Sequence, residues 1–188
     1  MARHVCPFWL GYVLASPVRR LWQDPARILA PFVTPGMTVL EPGCAMGFFT
    51  IPLARLVGPA GRVVALDMQP RMLAGLQRRA HRAGVVERID TRVVQRDGLG
   101  IDDLEGRVDF ALAFAMLHEL PKKHPFFLEV HRALRPGGTV LAAEPRGHVT
   151  ADAFEATMRR ATEAGFIVRP GPSIAASHTA VLERRQVA

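Results

Sequence analysis

Residues 37–51 read MTVLEPGCAMGFFTI. A short apolar and β-branched run, Met37 to Glu41, passes into a turn holding Gly43 and Gly47, and then into residues spaced as on a helix. A strand that enters a helix through a glycine turn is the opening unit of a parallel α/β sheet. The two glycines permit a tight turn and a close backbone approach. The helix N-terminus that follows offers unpaired N–H groups to an anionic part of a ligand. Ligands of open parallel sheets bind outside the carboxyl ends of the strands, so the loop Glu41 to Phe49 is the first place to look for a site.

The same alternation continues along the chain. Arg62 to Leu66, Ile89 to Gln95, Val108 to Phe114 and Thr139 to Ala143 are strand-like, and several are apolar on both faces, as in strands covered by helices on each side. Phe48 to Val57, Pro70 to Ala83 and Pro125 to Leu134 carry apolar residues at helical spacing. In the second of these, Met72, Leu73, Leu76, Ala80 and Ala83 line one face, Pro70 pre-sets the first turn and Gly84 ends it. A further helix, Asp152 to Ala164, starts from Thr150 as N-cap and closes at Gly165. Two short strands follow, Phe166 to Arg169 and Thr179 to Glu183. The pattern predicts a doubly wound α/β fold. No internal repeat or composition break divides it, so residues 36–188 are expected to form one core, and residues 1–35 an N-terminal extension.

Length and composition agree. A chain of 188 residues with 49% hydrophobic residues buries roughly 70% of the surface its unfolded form exposes, which excludes disorder as the main state. The longest apolar runs fall well short of the ~20 residues a bilayer crossing needs. Cys6 and Cys44 are too few for a disulfide framework or a four-thiolate zinc site and suit a reducing, cytoplasmic setting. Residues 5–15, VCPFWLGYVLA, loosely resemble a secretory signal, but Pro7, Trp9 and Tyr12 argue for an apolar lid or contact helix instead. The net charge of +7, from 24 basic and 17 acidic residues, invites a nucleic-acid partner. The basic residues are nevertheless scattered, apart from Arg71 to Arg96, and read better as a solvated surface.

The ligand class follows in part by elimination. A dinucleotide fingerprint would need Gly at 45 and 48, where the chain has Ala45 and Phe48, and no phosphate-cradling GxxxxGK[ST] loop occurs. A ligand with a ribose and few or no phosphates remains. Asp67, just past the second strand, can accept hydrogen bonds from two ribose hydroxyls.

Taken in order, VLEPGCAMGFFT, VVALDM, QRDG, VDFALAFAMLHEL and LRPGGTVLAAEP resemble the class I S-adenosylmethionine-dependent methyltransferases. The flavour is that of the small-molecule, quinone-biosynthesis-like group, and the resemblance spans about Thr34 to Glu183. It implies a Rossmann-like, seven-stranded, mostly parallel sheet with the last strand antiparallel and helices on both faces. It also implies S-adenosyl-L-methionine as cofactor and S-adenosyl-L-homocysteine as product. By that resemblance Glu41, Gly43, Cys44, Ala45 and Gly47 form the loop at the methionine end of the cofactor, with Glu41 reaching its ammonium through the loop or a water. Asp67 would hold the ribose, Met68 would pack on the adenine, and Asp97, with Gly98 beside it, would accept from the adenine amino group. Ala113 and Phe114 would flank the sulfonium. Ala45 departs from the commoner glycine and implies a slightly different cofactor pose. The plainer reading of each acid is a helix cap or a surface carboxylate.

Methyl transfer needs in-line positioning and, for a weakly acidic nucleophile, removal of a proton. His118 and Glu119 follow the fourth strand and His148 follows the fifth, so these three are the candidate catalytic residues, His118 first because an imidazole titrates near neutrality. A structural histidine is the alternative. No HExxH, CxxC or carboxylate cluster suggests a catalytic metal. The expected partner is a small-molecule substrate, capped by the segment holding His4, Cys6, Trp9 and Tyr12. An RNA acceptor is the alternative, disfavoured by AFAMLHEL where base-amino methyltransferases carry Asn or Asp and two prolines. A non-catalytic cofactor-binding protein of the same fold is the third reading. An antiparallel edge at the last strands would suit a homodimer.

Overall fold

The computed structural model describes residues 23–95 and 98–186. The expected lid residues His4, Cys6, Trp9 and Tyr12 lie outside that range, as does Asp97. Its strands hydrogen-bond in one seven-stranded sheet in the order β3-β2-β1-β4-β5-β7-β6, as the doubly wound reading requires. Among the described residues no helix is long and apolar enough to cross a membrane. The chain comprises two compact units, Met1–Val94 and Gln95–Ala188.

In the first unit, α1 (Pro25–Leu29) starts from Asp24, whose Oδ1 accepts the Ala26 N–H at 3.0 Å. β1 (Thr38–Pro42), β2 (Arg62–Asp67) and β3 (Ile89–Val93) run parallel, with Leu40 opposite Val64 and Leu66 opposite Arg92. Val39, Leu40 and Val63 to Leu66 have no more than trace exposure, which explains why these strands read as apolar on both faces. α3 (Pro70–Arg82) buries Met72, Leu73, Leu76 and Ala80 on one stripe. α2 (Thr50–Leu56) is shorter than the expected Phe48 to Val57. Residues 43–49 stay a turn because Gly43 and Cys44 donate to the Leu66 carbonyl and Gly47 donates to that of Cys44.

In the second unit, β4 (Val108–Phe114) and β5 (Leu134–Pro145) run parallel, and β7 (Ser177–Arg184) lies antiparallel between β5 and β6 (Phe166–Pro170). The chain's last strand is therefore an interior strand, and the edge beside it is β6. That edge is five residues long, ends in Pro170 and carries Arg169, a combination that discourages strand-to-strand pairing and weakens the expected dimer edge. β5 begins five residues before the expected Thr139, because the RPGG turn is carried as a bulge opposite Val108 and Phe110. A Cβ on Gly138 would lie 2.9 Å from the Arg135 carbonyl oxygen, so only glycine fits that bulge. α4 (Lys123–Ala133) begins two residues before Pro125. Proline is tolerated in a first turn, whose N–H groups have no intrahelical partner.

α5 (Ala151–Glu163) confirms its predicted cap: Thr150 Oγ1 accepts the Ala153 N–H at 3.2 Å. Thr150→Ala should lower the free energy of unfolding by about 1 kcal/mol, read from a shift in urea midpoint at constant slope; no shift would mean the cap is dispensable.

Candidate functional site

The loop after β1 is built around one carboxylate. Asp67, the last residue of β2, accepts the Ala45 N–H on Oδ2 at 3.0 Å and the Gln69 N–H on Oδ1 at 2.8 Å. These bonds tie the β1 loop and the entry to α3 to the end of one strand. Ala45 adopts φ +46°, a left-handed conformation that costs a non-glycine residue about 1–2 kcal/mol. The loop therefore keeps the backbone shape a glycine would give it. Gly47 (φ +81°) faces the opposite constraint, since a Cβ there would stand 2.3 Å from Leu76 Cδ1 on α3. Met46 also packs on this helix: its side chain lies against Gly75, and its carbonyl accepts from the Arg79 guanidinium.

Two acids meet in this unit, and burial acts on both. Burial pushes Glu41 from an ordinary 4.5 up to about 8, with the charge of Asp67 adding to the rise. The Thr50 hydroxyl opposes that rise without completing a well-formed bond, for Glu41 Oε2 and Thr50 Oγ1 are both buried with no hydrogen-bond partner among the described residues. Burial also raises Asp67, against the pull of the Gln69, Ala45 and Met68 N–H groups. Cys44 is raised well above the usual thiol range by burial and by the two acids, so it sits in the loop as a neutral packing group. Met68, next to Asp67, is 47% exposed, unusual for a methionine beside a packed strand end.

These features fit an adenosyl amino-acid ligand. A carboxylate has about four acceptor positions; the Ala45, Gln69 and Met68 N–H groups draw on Asp67 and leave acceptor capacity for a ribose hydroxyl. Glu41 Oε2 is buried with no partner among the described residues, and an ammonium, or a water bound to one, would supply it.

In the second unit, Ala113 is buried in β4 opposite Ala142, and Phe114, at the strand end, is half-buried. Gly98 lies beside Glu129, whose Oε2 accepts the Leu99 N–H at 2.8 Å. His118 and Glu119 fall in a 3₁₀ turn, Leu117–Glu119. Glu119 is exposed, and the carboxylate that meets His118 is Glu144: its Oε2 lies 2.6 Å from His118 Nδ1. His148 is exposed and contacts the His118 ring edge-to-face, with centroids 5.7 Å apart. The candidate histidines thus share one site, organised by an acid that sequence reasoning passed over. The available signal was a single acid inside the apolar run VLAAEP. No group of three or more metal-ligating side chains occurs among the described residues.

Residues 39–138, 100 of the 188, match the family described as a methyltransferase domain. The chain is 37% identical over 120 residues to the ribosomal protein L11 methyltransferase of Pelotomaculum thermopropionicum, covering 62% of this chain and 35% of that protein. It is 27% identical over 132 residues to a ubiquinone/menaquinone biosynthesis C-methyltransferase of Hydrogenovibrio crunogenus, covering 70% and 51%. The chain thus spans about a third to a half of the length of these curated relatives. Among solved structures, a SAM-dependent methyltransferase from Aquifex aeolicus superposes with a TM-score of 0.83 at 22% identity, over 95% of this chain and 98% of that one.

Glu41 gives a pH test with a definite sign. Between about pH 4.5 and 8 the unfolded chain ionises this carboxyl while the folded protein keeps it neutral, so stability falls as pH rises through that window. Glu41→Gln should flatten the fall in denaturation free energy between pH 5 and 8; an unchanged slope would rule out a neutral Glu41 in the folded, ligand-free protein. Ala45→Gly should hold or raise stability by up to about 1 kcal/mol, measured by the same denaturation series, and a clear loss would contradict the strained conformation.

Proposed function

The chain belongs to the methyltransferase domain family, and from that premise we propose that it binds S-adenosyl-L-methionine on the loop after β1 and transfers a methyl group to a small-molecule nucleophile. The observation that carries this reading is the pairing of two buried carboxylates around a glycine-bearing turn. Glu41 Oε2 has no hydrogen-bond partner among the described residues, and Asp67 accepts backbone N–H groups on both oxygens while keeping acceptor capacity.

Glu41 would hold the ammonium directly or through water, and binding of that cation would favour its ionised form. Asp67 takes the ribose hydroxyls with its remaining acceptor positions, while the exposed Met68 supplies an apolar surface for the adenine. Asp97, with Gly98, would accept from the adenine amino group, and Ala113 and Phe114 would flank the sulfonium. When bound, the cofactor supplies an electrophilic methyl group on a good leaving group. The protein's share of the work is orientation and removal of the acceptor's proton, and His118 takes that proton. His148 packs edge-to-face against the His118 ring.

A second reading, an RNA acceptor, draws on the net charge of +7. Transfer from labelled cofactor to a metabolite extract, to RNA and to ribosomal protein, run side by side, decides among acceptor classes. A small-molecule acceptor is expected, and label confined to either macromolecule would overturn that choice.

Calorimetry should show S-adenosyl-L-methionine binding, weakened about 10- to 100-fold by Asp67→Asn, the loss expected when hydrogen bonds to a charged group are removed. Absence of binding would leave a protein of this fold without its cofactor. His118→Ala should lower kcat by about 10²–10⁴-fold at unchanged cofactor affinity, and full turnover by that variant would eliminate His118 as the base.

A further inference from the structure

Glu144 stands near the end of β5 at 1% exposure, in a strand otherwise lined by Leu141, Ala142 and Ala143. An acid buried among apolar neighbours is costly unless its oxygens are fully used. Here they are. Oε1 accepts the Leu117 N–H at 3.0 Å, and Oε2 accepts the His118 N–H at 3.1 Å and lies 2.6 Å from His118 Nδ1. Both backbone groups can only donate, so each oxygen acts as an acceptor, and beside an ionised carboxylate the ring nitrogen is the donor. A neutral imidazole that carries its proton on Nδ1 has its lone pair on Nε2.

The turn that delivers His118 is held rigidly. Ala115, just past β4, sits at φ +54° with its N–H donating to the Ala143 carbonyl at 2.7 Å, one residue before Glu144. Strained backbone of this kind persists only where surrounding contacts over-determine it. The His118 side chain keeps 26% of its surface exposed, so one edge of the ring remains reachable.

We infer that Glu144 is a positioning residue: it fixes His118 as the Nδ1–H tautomer and thereby makes Nε2 the basic nitrogen of the ring. The tautomer follows from the contacts within this unit. Use of Nε2 to take the acceptor's proton rests on the methyl-transfer reading. In that step the nucleophile's proton moves to Nε2 and the ring becomes doubly protonated, its positive charge lying beside the Glu144 carboxylate.

The test is ¹⁵N nuclear magnetic resonance of the histidine rings in the full chain, free of cofactor and acceptor and at alkaline pH, with His118→Gln used to assign the signal. The expected result is one tautomer, Nδ1–H. In Glu144→Gln the amide can no longer present oxygen to all three donors, and its NH₂ favours a ring that accepts on Nδ1, so the signal should move toward Nε2–H. Glu144→Asp keeps a charge one methylene short and should give a mixture, which preserves the test where the amide variant does not fold. Turnover of Glu144→Gln should fall by about 10²–10⁴-fold in kcat, with KM for S-adenosyl-L-methionine within about threefold, whereas an anchor for the turn alone would leave the tautomer in place. An Nε2–H ring in the wild-type protein, or an Nδ1–H ring unchanged in both variants, would overturn the inference. Should the tautomer move as expected while His118→Ala keeps full turnover, the positioning stands and the base reading falls.

Discussion

Asp67 Oδ2 accepts the Ala45 N–H, and Oδ1 of the same carboxylate accepts the Gln69 N–H. Through these two bonds the end of β2 dictates both the shape of the loop after β1 and the start of α3. The neighbouring contacts follow from it. With the loop pinned there, Gly47 must pass against Leu76 with no room for a side chain, and the Met46 side chain fills the space beside Gly75. The left-handed Ala45 is tolerated because its N–H is committed to a buried carboxylate, whose hydrogen bond offsets the backbone cost.

The two units hold acids under opposite conditions, and the difference explains their separate chemistry. Burial pushes Glu41 up to about 8, and its Oε2 has no hydrogen-bond partner among the described residues. Such a group gains by meeting a cation. Glu144 is buried as deeply, yet three donors converge on its two oxygens, two of them from the backbone of one 3₁₀ turn. Such a group gains nothing further from a ligand and serves to orient what it already holds. Burial alone therefore does not mark a binding residue; the count of donors around each oxygen separates the two roles.

Much of the strand framework was legible because both-face apolar runs have few alternative explanations at these lengths. The helix boundaries were less so. Phe48 and Phe49 continue the apolar spacing of α2, but the Gly47 and Cys44 backbone bonds keep them in the turn. Pro125 looked like a helix start and proves to sit in the third helical position of α4. The RPGG segment looked like a loop before β5 and is a bulge inside it, because Val108 continues to pair beyond the glycines. At the α2 and β5 boundaries, backbone pairing to distant residues overrides local propensity.

The sequence by itself determined the fold class, the glycine-bearing loop after β1, Asp67 at the strand end and His118 after β4, since each rests on residue type at a fixed offset from a strand. Only the tertiary structure decided that Glu144, twenty-six positions from His118, is its partner in place of the adjacent Glu119. It likewise placed β7 inside the sheet and left Glu41 Oε2 buried with no hydrogen-bond partner among the described residues. The physical reason is common to all three. Strand pairing and burial bring together groups far apart in the chain, and the energy of a buried charge depends on which donors arrive there.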